Sequence, residues 1–294
     1  MKVISLSLLA IIMNLSLYGQ TIQHVIIIGI DGMSPNGILN ANSPVMDNLM
    51  QNGSYTMHAR DVLPSSSSPN WASMIMGAGP EQHGITSNEW QPDNHILPPV
   101  IKNEAGYFPT IFWLLYQHNP GYEIGAIYHW DDFGRLFEKE AVDFDTTFKN
   151  ENKVADMASQ YIVDNKPNFL FVHFDHVDGA GHKFGHGTEK YYGSVAKADQ
   201  LIGKIADAIK TADLMDKTLI IISSDHGGNG TSHGGETPGE VEIPIILSGP
   251  GIKQGYEITY PVNIYDIAST VAYVFNLEQP RAWIGRPITS AFIE

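Results

Sequence analysis

His24-Val-Ile-Ile-Ile-Gly-Ile-Asp31 is an unbroken apolar run that ends on a carboxylate. A strand with one wet face alternates apolar and polar residues. A strand buried on both faces does not, and such strands belong to parallel sheets covered by helices on either side. The pattern returns at Asn168-Phe-Leu-Phe-Val-His-Phe174, which leads into Asp175 and Asp178, and at Thr218-Leu-Ile-Ile-Ile-Ser-Ser224, which leads into Asp225-His226. Between these two, Glu189 to Leu214 spaces Val195, Ala198, Leu201, Ile202, Ile205 and Ile209 three and four apart, which predicts a helix with one buried stripe. Ile243-Pro-Ile-Ile-Leu247 reads as another strand, its proline suiting an edge or a strand start, and Ile264 to Phe275 reads as a last helix. Open parallel sheets bind ligands outside the carboxyl ends of their strands, so the Asp and His residues that close these runs should converge there.

The chain has 294 residues, enough for one large α/β domain or two small ones, and its 43% hydrophobic content suffices for a core. It contains no cysteine, so a metal would have to sit on His, Asp and Glu. Residues 1–20 read as a secretory signal: Lys2 supplies the basic end, Val3 to Leu17 the apolar run, and Gly19-Gln20-Thr21 the polar exit. The run is shorter than the ~20 residues of a membrane span, and no basic stop-transfer cluster follows. The expectation is an exported protein, periplasmic or extracellular, with a catalytic domain over 21–294 and no membrane span after cleavage. Loss of Lys2 leaves 16 basic against 32 acidic residues, a net charge of −16. That balance offers no basic face for a nucleic-acid backbone. An anionic substrate would need metal ions to supply local positive charge. Residues 89–150 are rich in Pro, Asn and Trp, with few clear periods, and are expected to form an insertion capping the site.

Six of the twelve histidines fall between 173 and 233. A lone histidine means little; the spacing carries the signal. Asp178-Gly-Ala-Gly-His182 sets a carboxylate and an imidazole four apart across what reads as a glycine-rich bend. Asp225-His226-Gly-Gly leaves a buried strand directly, and His233-Gly-Gly follows a short loop later. With Asp31 this makes three carboxylates and three imidazoles on strand-end loops. Mixed imidazole and carboxylate sets suit Zn²⁺, whereas Mg²⁺ and Ca²⁺ prefer oxygen shells. Six ligands exceed one tetrahedral ion and suit two, an arrangement that can clamp the attacking and leaving oxygens of a phosphoryl transfer. The tract Pro64-Ser65-Ser66-Ser67-Ser68-Pro69-Asn70-Trp71 lies between a predicted strand, Tyr55 to Leu63, and Trp71 to Gly77, which can start as a helix. A hydroxyl at such a turn gains from the helix N-terminus, and a metal can lower its pKa.

These residues resemble the type I phosphodiesterase and nucleotide pyrophosphatase branch of the alkaline phosphatase superfamily. The resemblance runs from Ile26 to about Ile252, strongest in IIIGIDGM, SSPNWASMIMGAGPEQHGITSN, HFDHVDGAGHKFG and SSDHGG. It implies an α/β fold, an alkaline-phosphatase-like three-layer sandwich with a mostly parallel central sheet and a small capping insertion. It also implies that Ser67 is the nucleophile, in the place of that family's threonine. Asp31, Ser67, Asp225 and His226 would hold one zinc ion, and Asp178, His182 and His233 the other. Asn88 falls on an asparagine whose amide donates to a phosphoryl oxygen.

The same resemblance implies a hydrolase of small phosphate esters. Monoesterases of the superfamily add a cationic group or a third metal, and Arg135, Lys149, Lys153 and Lys183 match no such motif, which leans the reading to a phosphodiesterase over a phosphomonoesterase. A sulfatase needs arginine where Trp71 stands in Ser67-Ser68-Pro69-Asn70-Trp71. The residues that grip a nucleobase in the family are replaced by Ser68 and His173. His173 either offers a small face there or turns toward the metals, and Trp71, Trp90 and Trp130 are candidate substitutes. His233 follows Asp225-His226 at once, as in compact members of the superfamily.

Overall fold

The structure, a computed structural model, describes residues 22–293; the signal expected over 1–20 lies outside the described residues. Eight strands form one sheet: β1 (His24–Ile30), β2 (Gly53–Arg60), β3 (Ile124–Tyr128), β4 (Phe144–Thr147), β5 (Phe169–Phe174), β6 (Thr218–Ser223), β7 (Glu242–Ser248) and β8 (Tyr256–Glu257), in the spatial order β4-β3-β5-β1-β6-β7-β2-β8. All neighbours are parallel except β7, which runs antiparallel to both β6 and β2.

The central strands are buried on both faces, as their uninterrupted apolar runs require. Val25 and Ile27 of β1 join Phe169, Phe171, Leu219 and Ile221 in a core under the helices Ser67–Met76, Ile111–His118 and Asp266–Val274. Ile26, Ile28 and Ile30 point the other way, with Leu170, Val172, Ile220 and Ile222, against Glu151–Asn165 and Glu189–Thr211. Period-two alternation of Cβ directions thus divides one apolar run between two cores and produces the three layers.

Two expectations give way here. Residues 111–147 are part of the body: Ile111–His118 packs on the sheet, and β3 and β4 form its edge beside β5. Strands of five and four residues, separated by one-turn helices, leave too short a period to read in sequence. Pro244 lies inside the sheet, neither at its edge nor at the first residue of β7. The β2–β7 register shifts between Thr56 and Ala59, opposite this proline, so its missing N–H falls at an irregular point of the ladder.

The irregular stretch before Ile111 is tied to the body by Glu138, which is fully buried. Its carboxylate accepts from Asn103 Nδ2, Thr110 Oγ1 and the Thr110 N–H. Burial nevertheless pushes its pKa up to about 7 from an ordinary value of 4.5. A folded-state pKa above the unfolded one means that the native chain holds the proton more tightly. The stability so contributed is complete below pH 4.5 and is lost as pH climbs toward 7. Glu138→Gln, which cannot ionise, should therefore lose less stability than wild type between pH 4.5 and 7.5, measured as urea midpoints at the two ends.

Candidate metal centre and nucleophile

Asp31 follows β1 directly, in a turn that Gly32 completes at φ +67°. A Cβ at Gly32 would stand 2.9 Å from the Cα of Asp178, so only glycine lets this turn meet the helix that carries Asp178. The Tyr191 hydroxyl braces the same turn, donating to Gly32 O at 2.7 Å and accepting from the Ser34 N–H at 2.9 Å. Asp178 and His182 sit one turn apart on the helix His176–Phe184, where a bend was expected. Gly179 and Gly181 cost that helix ~1 kcal/mol each, a penalty offset by burial of Val177 and Ala180. Asp225 and His226 leave β6, and the Gly32 N–H donates to Asp225 Oδ1 at 3.1 Å. β1, β5 and β6 are adjacent, so their three ends form one site.

The imidazoles are arranged alike. Nδ1 of His226, His233 and His182 lies 2.8, 2.9 and 2.9 Å from the carbonyls of Gly227, Ser65 and Thr231 respectively. A carbonyl only accepts, so Nδ1 carries the proton and Nε2 presents a lone pair. Those lone pairs face carboxylate oxygens. His226 Nε2 is 3.4 Å from Asp31 Oδ1 and 3.3 Å from Asp225 Oδ2, and His233 Nε2 is 3.9 Å from Asp178 Oδ1. These three oxygens are buried without any hydrogen-bond partner. Acceptors aimed at acceptors in a buried site need a cation or a proton between them, and the donor set, with its carbonyl-oriented histidines, suits a metal ion. Without one, burial drives the carboxyl groups toward neutrality. Asp31 and Asp225 are held well above the usual carboxylate range, Asp31 further by Asp225 beside it, and Asp178 is pushed up to about 6.

Asp31, Asp225 and His226 bring ligand atoms within 4.8 Å of one another, as do Asp178, His226 and His233. The second group has His226 where the resemblance puts His182, which stands at the rim with a half-exposed side chain, 3.2 Å from Asp178 Oδ2. Asp175 forms a third such group with Asp31 and Asp178, a proximity the sequence left unassigned.

Ser67 is the first residue of the helix Ser67–Met76, which begins four residues before the expected Trp71; Pro69 is tolerated because it falls in the first turn. Its Oγ lies 3.5 Å from His226 Nε2. The loop before it is fixed by Asn70, whose Nδ2 donates to the carbonyls of Val62, Pro64 and Ser66 while its Oδ1 accepts from the Val62 N–H. Asn88 Oδ1 accepts from the Ser68 N–H at 2.8 Å, which leaves the amide NH₂ as the free end. Arg135 joins this group: Nη2 donates to Ser68 Oγ at 3.0 Å and to Asn88 O at 2.5 Å, and Nη1 pairs with Asp132 at 3.1 Å. Lys149 instead pairs with Asp131, and Lys183 lies over Phe184.

The positions of a nucleobase grip are closed. Ser68 and His173 are fully buried, as is Trp71, while Trp90 is buried and stacked on His95. Trp130 alone among these tryptophans is only half-buried, with the Arg135 guanidinium 5.8 Å from its ring. Sequence reasoning gives Arg135 only as a basic residue that matches no motif, because its contact with Ser68 spans 67 residues and leaves no local period, and it gives Asn70 no role of its own.

The sequence pattern of the type I phosphodiesterase / nucleotide pyrophosphatase family matches residues 25–242, and the chain belongs to that family. The human ectonucleotide pyrophosphatase/phosphodiesterase family member 1 is 23% identical over 195 residues, 63% of this chain and 21% of that protein. Zebrafish (Danio rerio) arylsulfatase K is 31% identical over 100 residues, 30% of this chain and 19% of that one. The match thus spans about a fifth of the length of either relative. The solved structure of murine ectonucleotide pyrophosphatase / phosphodiesterase 5 superposes with a TM-score of 0.75 at 13% identity, covering 92% of this chain and all of that one. The fold is therefore alkaline-phosphatase-like.

A cation that binds only the folded centre must stabilise it, by ~2.7 kcal/mol at a concentration 100 times its dissociation constant. Dialysis against a strong chelator should lower the melting temperature by several degrees, and a divalent transition metal should restore it. Calorimetry with and without chelator measures this; a melting temperature indifferent to both would contradict a metal centre.

Proposed function

We propose that this chain is an exported phosphodiesterase that holds two Zn²⁺ ions and uses Ser67 as its nucleophile. One observation carries the reading: a hydroxyl at a helix N-terminus, 3.5 Å from His226 Nε2, beside three buried carboxylate oxygens that lack partners. In the assignment that the resemblance implies, Asp31, Ser67, Asp225 and His226 hold one ion and Asp178, His182 and His233 the other. Bound zinc supplies Lewis acidity and the positive charge that an anionic ester needs in this acidic pit.

The chain's own groups do the rest. Ser67 Oγ loses its proton to solvent and forms the new bond to phosphorus as the ester oxygen departs and takes a proton from water. Water then attacks the phosphoryl group, which still carries its second ester, and the Ser67 oxygen leaves and regains a proton. The Ser67 N–H and the free NH₂ of Asn88 remain to meet negative charge developing on the phosphoryl oxygens, since the Ser68 N–H is taken by Asn88 Oδ1, the Asn70 N–H by Ser66 O, and Pro69 has none. Arg135 favours a diester. Its two terminal nitrogens are engaged by Ser68, Asn88 and Asp132 and its Nε, though without a partner, is buried, so it offers no exposed donor to the second charge of a monoester. Export rests on the sequence of residues 1–20. Among the described residues no helix is long and apolar enough to cross a membrane.

Ser67→Ala should reduce kcat by on the order of 10³-fold or more with little loss of stability, and Asn88→Ala by ~10²–10³-fold, as for one oxyanion donor. Ser66→Ala should stay active. A dead Ser66→Ala beside an active Ser67→Ala, under equal zinc loading, would reassign the nucleophile.

Substrate class is tested by kcat/KM for a bis-aryl phosphate, an aryl monophosphate, a thymidine aryl phosphate and an aryl sulfate. The simple diester should lead. A tenfold monoester preference would overturn the diesterase reading, and a leading sulfate ester the phosphoric-ester class itself. A thymidine ester favoured a hundredfold, worth ~2.7 kcal/mol, would make Trp130 a base platform.

A further inference from the structure

Asp31 is 1% exposed and accepts on Oδ2 from two donors that belong to no part of the assigned ligand set. The Trp71 indole N–H lies 3.2 Å away and His173 Nε2 3.4 Å away. Both side chains are fully buried. His173 Nδ1 faces the Trp130 N–H at 3.5 Å, which makes Nδ1 the acceptor and puts the ring proton on Nε2, toward Asp31. The other oxygen, Oδ1, has no hydrogen bond and faces His226 Nε2.

Simple core packing would account for two buried rings. It does not account for both of them spending their one free N–H on the same oxygen of the same carboxylate while the second oxygen goes without. The backbone is arranged for the contact. His173 lies opposite Gly29 in the β1–β5 register, and the Trp71 ring crosses Gly29 so closely that a Cβ would stand 2.6 Å from it. The rings also lock each other: Trp71 meets His173 edge-on at 4.8 Å, and Phe133 stacks on His173 at 5.7 Å. Neither ring has room to turn, so Asp31 cannot rotate without breaking both bonds.

Resting on the two-metal reading above, we infer that Trp71 and His173 are positioning residues that clamp one oxygen of Asp31 and thereby present the other, singly, to the metal centre. Partners behind a metal ligand fix its orientation, and their loss typically weakens metal affinity ~10–100-fold. The clamp also explains why the position that resembles a nucleobase grip carries a buried histidine: its ring serves the carboxylate and has no face left for substrate.

The test uses the full chain and Zn²⁺ itself. Dissociation constants of both sites are measured by competition with a chromophoric chelator for wild type, Trp71→Phe, His173→Leu and His173→Gln. Trp71→Phe keeps an aromatic ring but removes part of the indole together with its N–H, whereas His173→Gln keeps a donor near the place of Nε2 and so separates the donor from the packing. The clamp predicts that Trp71→Phe and His173→Leu weaken one of the two zinc sites by ~10–100-fold and leave the other unchanged, and that His173→Gln restores most of the loss. Equal losses in His173→Leu and His173→Gln would overturn it, because packing and not the donor would then set the affinity. A wild type that binds no zinc defeats the two-metal reading and the clamp with it. A wild type that binds zinc, with affinity unmoved by Trp71→Phe and His173→Leu, defeats the clamp alone.

Discussion

Three carboxylates and two imidazoles meet at one buried point, with His182 at its rim, and the side-chain atoms they turn toward one another are all acceptors. Such a point is unstable by itself, because buried like charges raise each other's energy and desolvation adds to it. Everything around it can be understood as the means of holding the point open for a cation. Adjacent parallel strands deliver Asp31, Asp178 and Asp225 to one edge. The Gly32 turn lets two of those segments touch, and three carbonyls set the tautomers of the histidines. The chain's negative balance sharpens the requirement, since an anionic ester approaching this edge meets carboxylates first.

The parts of this arrangement legible in the sequence are those whose signal is local. The runs that became β1, β5 and β6 announce themselves because a strand buried on two faces cannot alternate, and the acids that close them fall on the correct edge by topology alone. The helix Glu189–Thr211 follows from its stripe. What failed to show depends on tertiary context. Asp178-Gly-Ala-Gly-His182 reads as a bend by propensity, yet packing of Val177 and Ala180 wins and makes it helical. Ile124-Gly-Ala-Ile-Tyr128 and Phe144-Asp-Thr-Thr147 are too short to carry a period, and they become strands because β5 offers them an edge.

Long-range polar contacts are the other illegible class. Arg135 ties Ser68 to Asn88 across gaps of 67 and 47 residues. His83 does similar service at shorter range: it bonds Ser73 on the helix that starts at Ser67 and accepts from the Ile85 N–H, anchoring the loop that leads to Asn88. In sequence Arg135 is a basic residue matching no motif and His83 a polar residue with no assigned part. In the fold they make Ser67 and Asn88 one unit, so that a change in either loop is felt at the other.

The reversed direction of β7 has an effect on how the architecture can change over time. Because β7 runs back against β6, the segment from Asp225 to Val241 leaves the sheet and re-enters it at the same edge, between neighbouring strands. Its base is pinched by backbone bonds from Gly227 to Glu240 and from Gly228 to Gly239, at 2.7 and 2.8 Å. Extra chain spliced beyond that pinch would stretch no crossover and shift no strand register. Each doubling of such a loop costs only ~0.6 kcal/mol in closure entropy. The same seam that carries His233 to the candidate metal centre is thus a port at which a lineage can acquire or shed whole segments beside the site, while the sheet that orders its groups stays as it is.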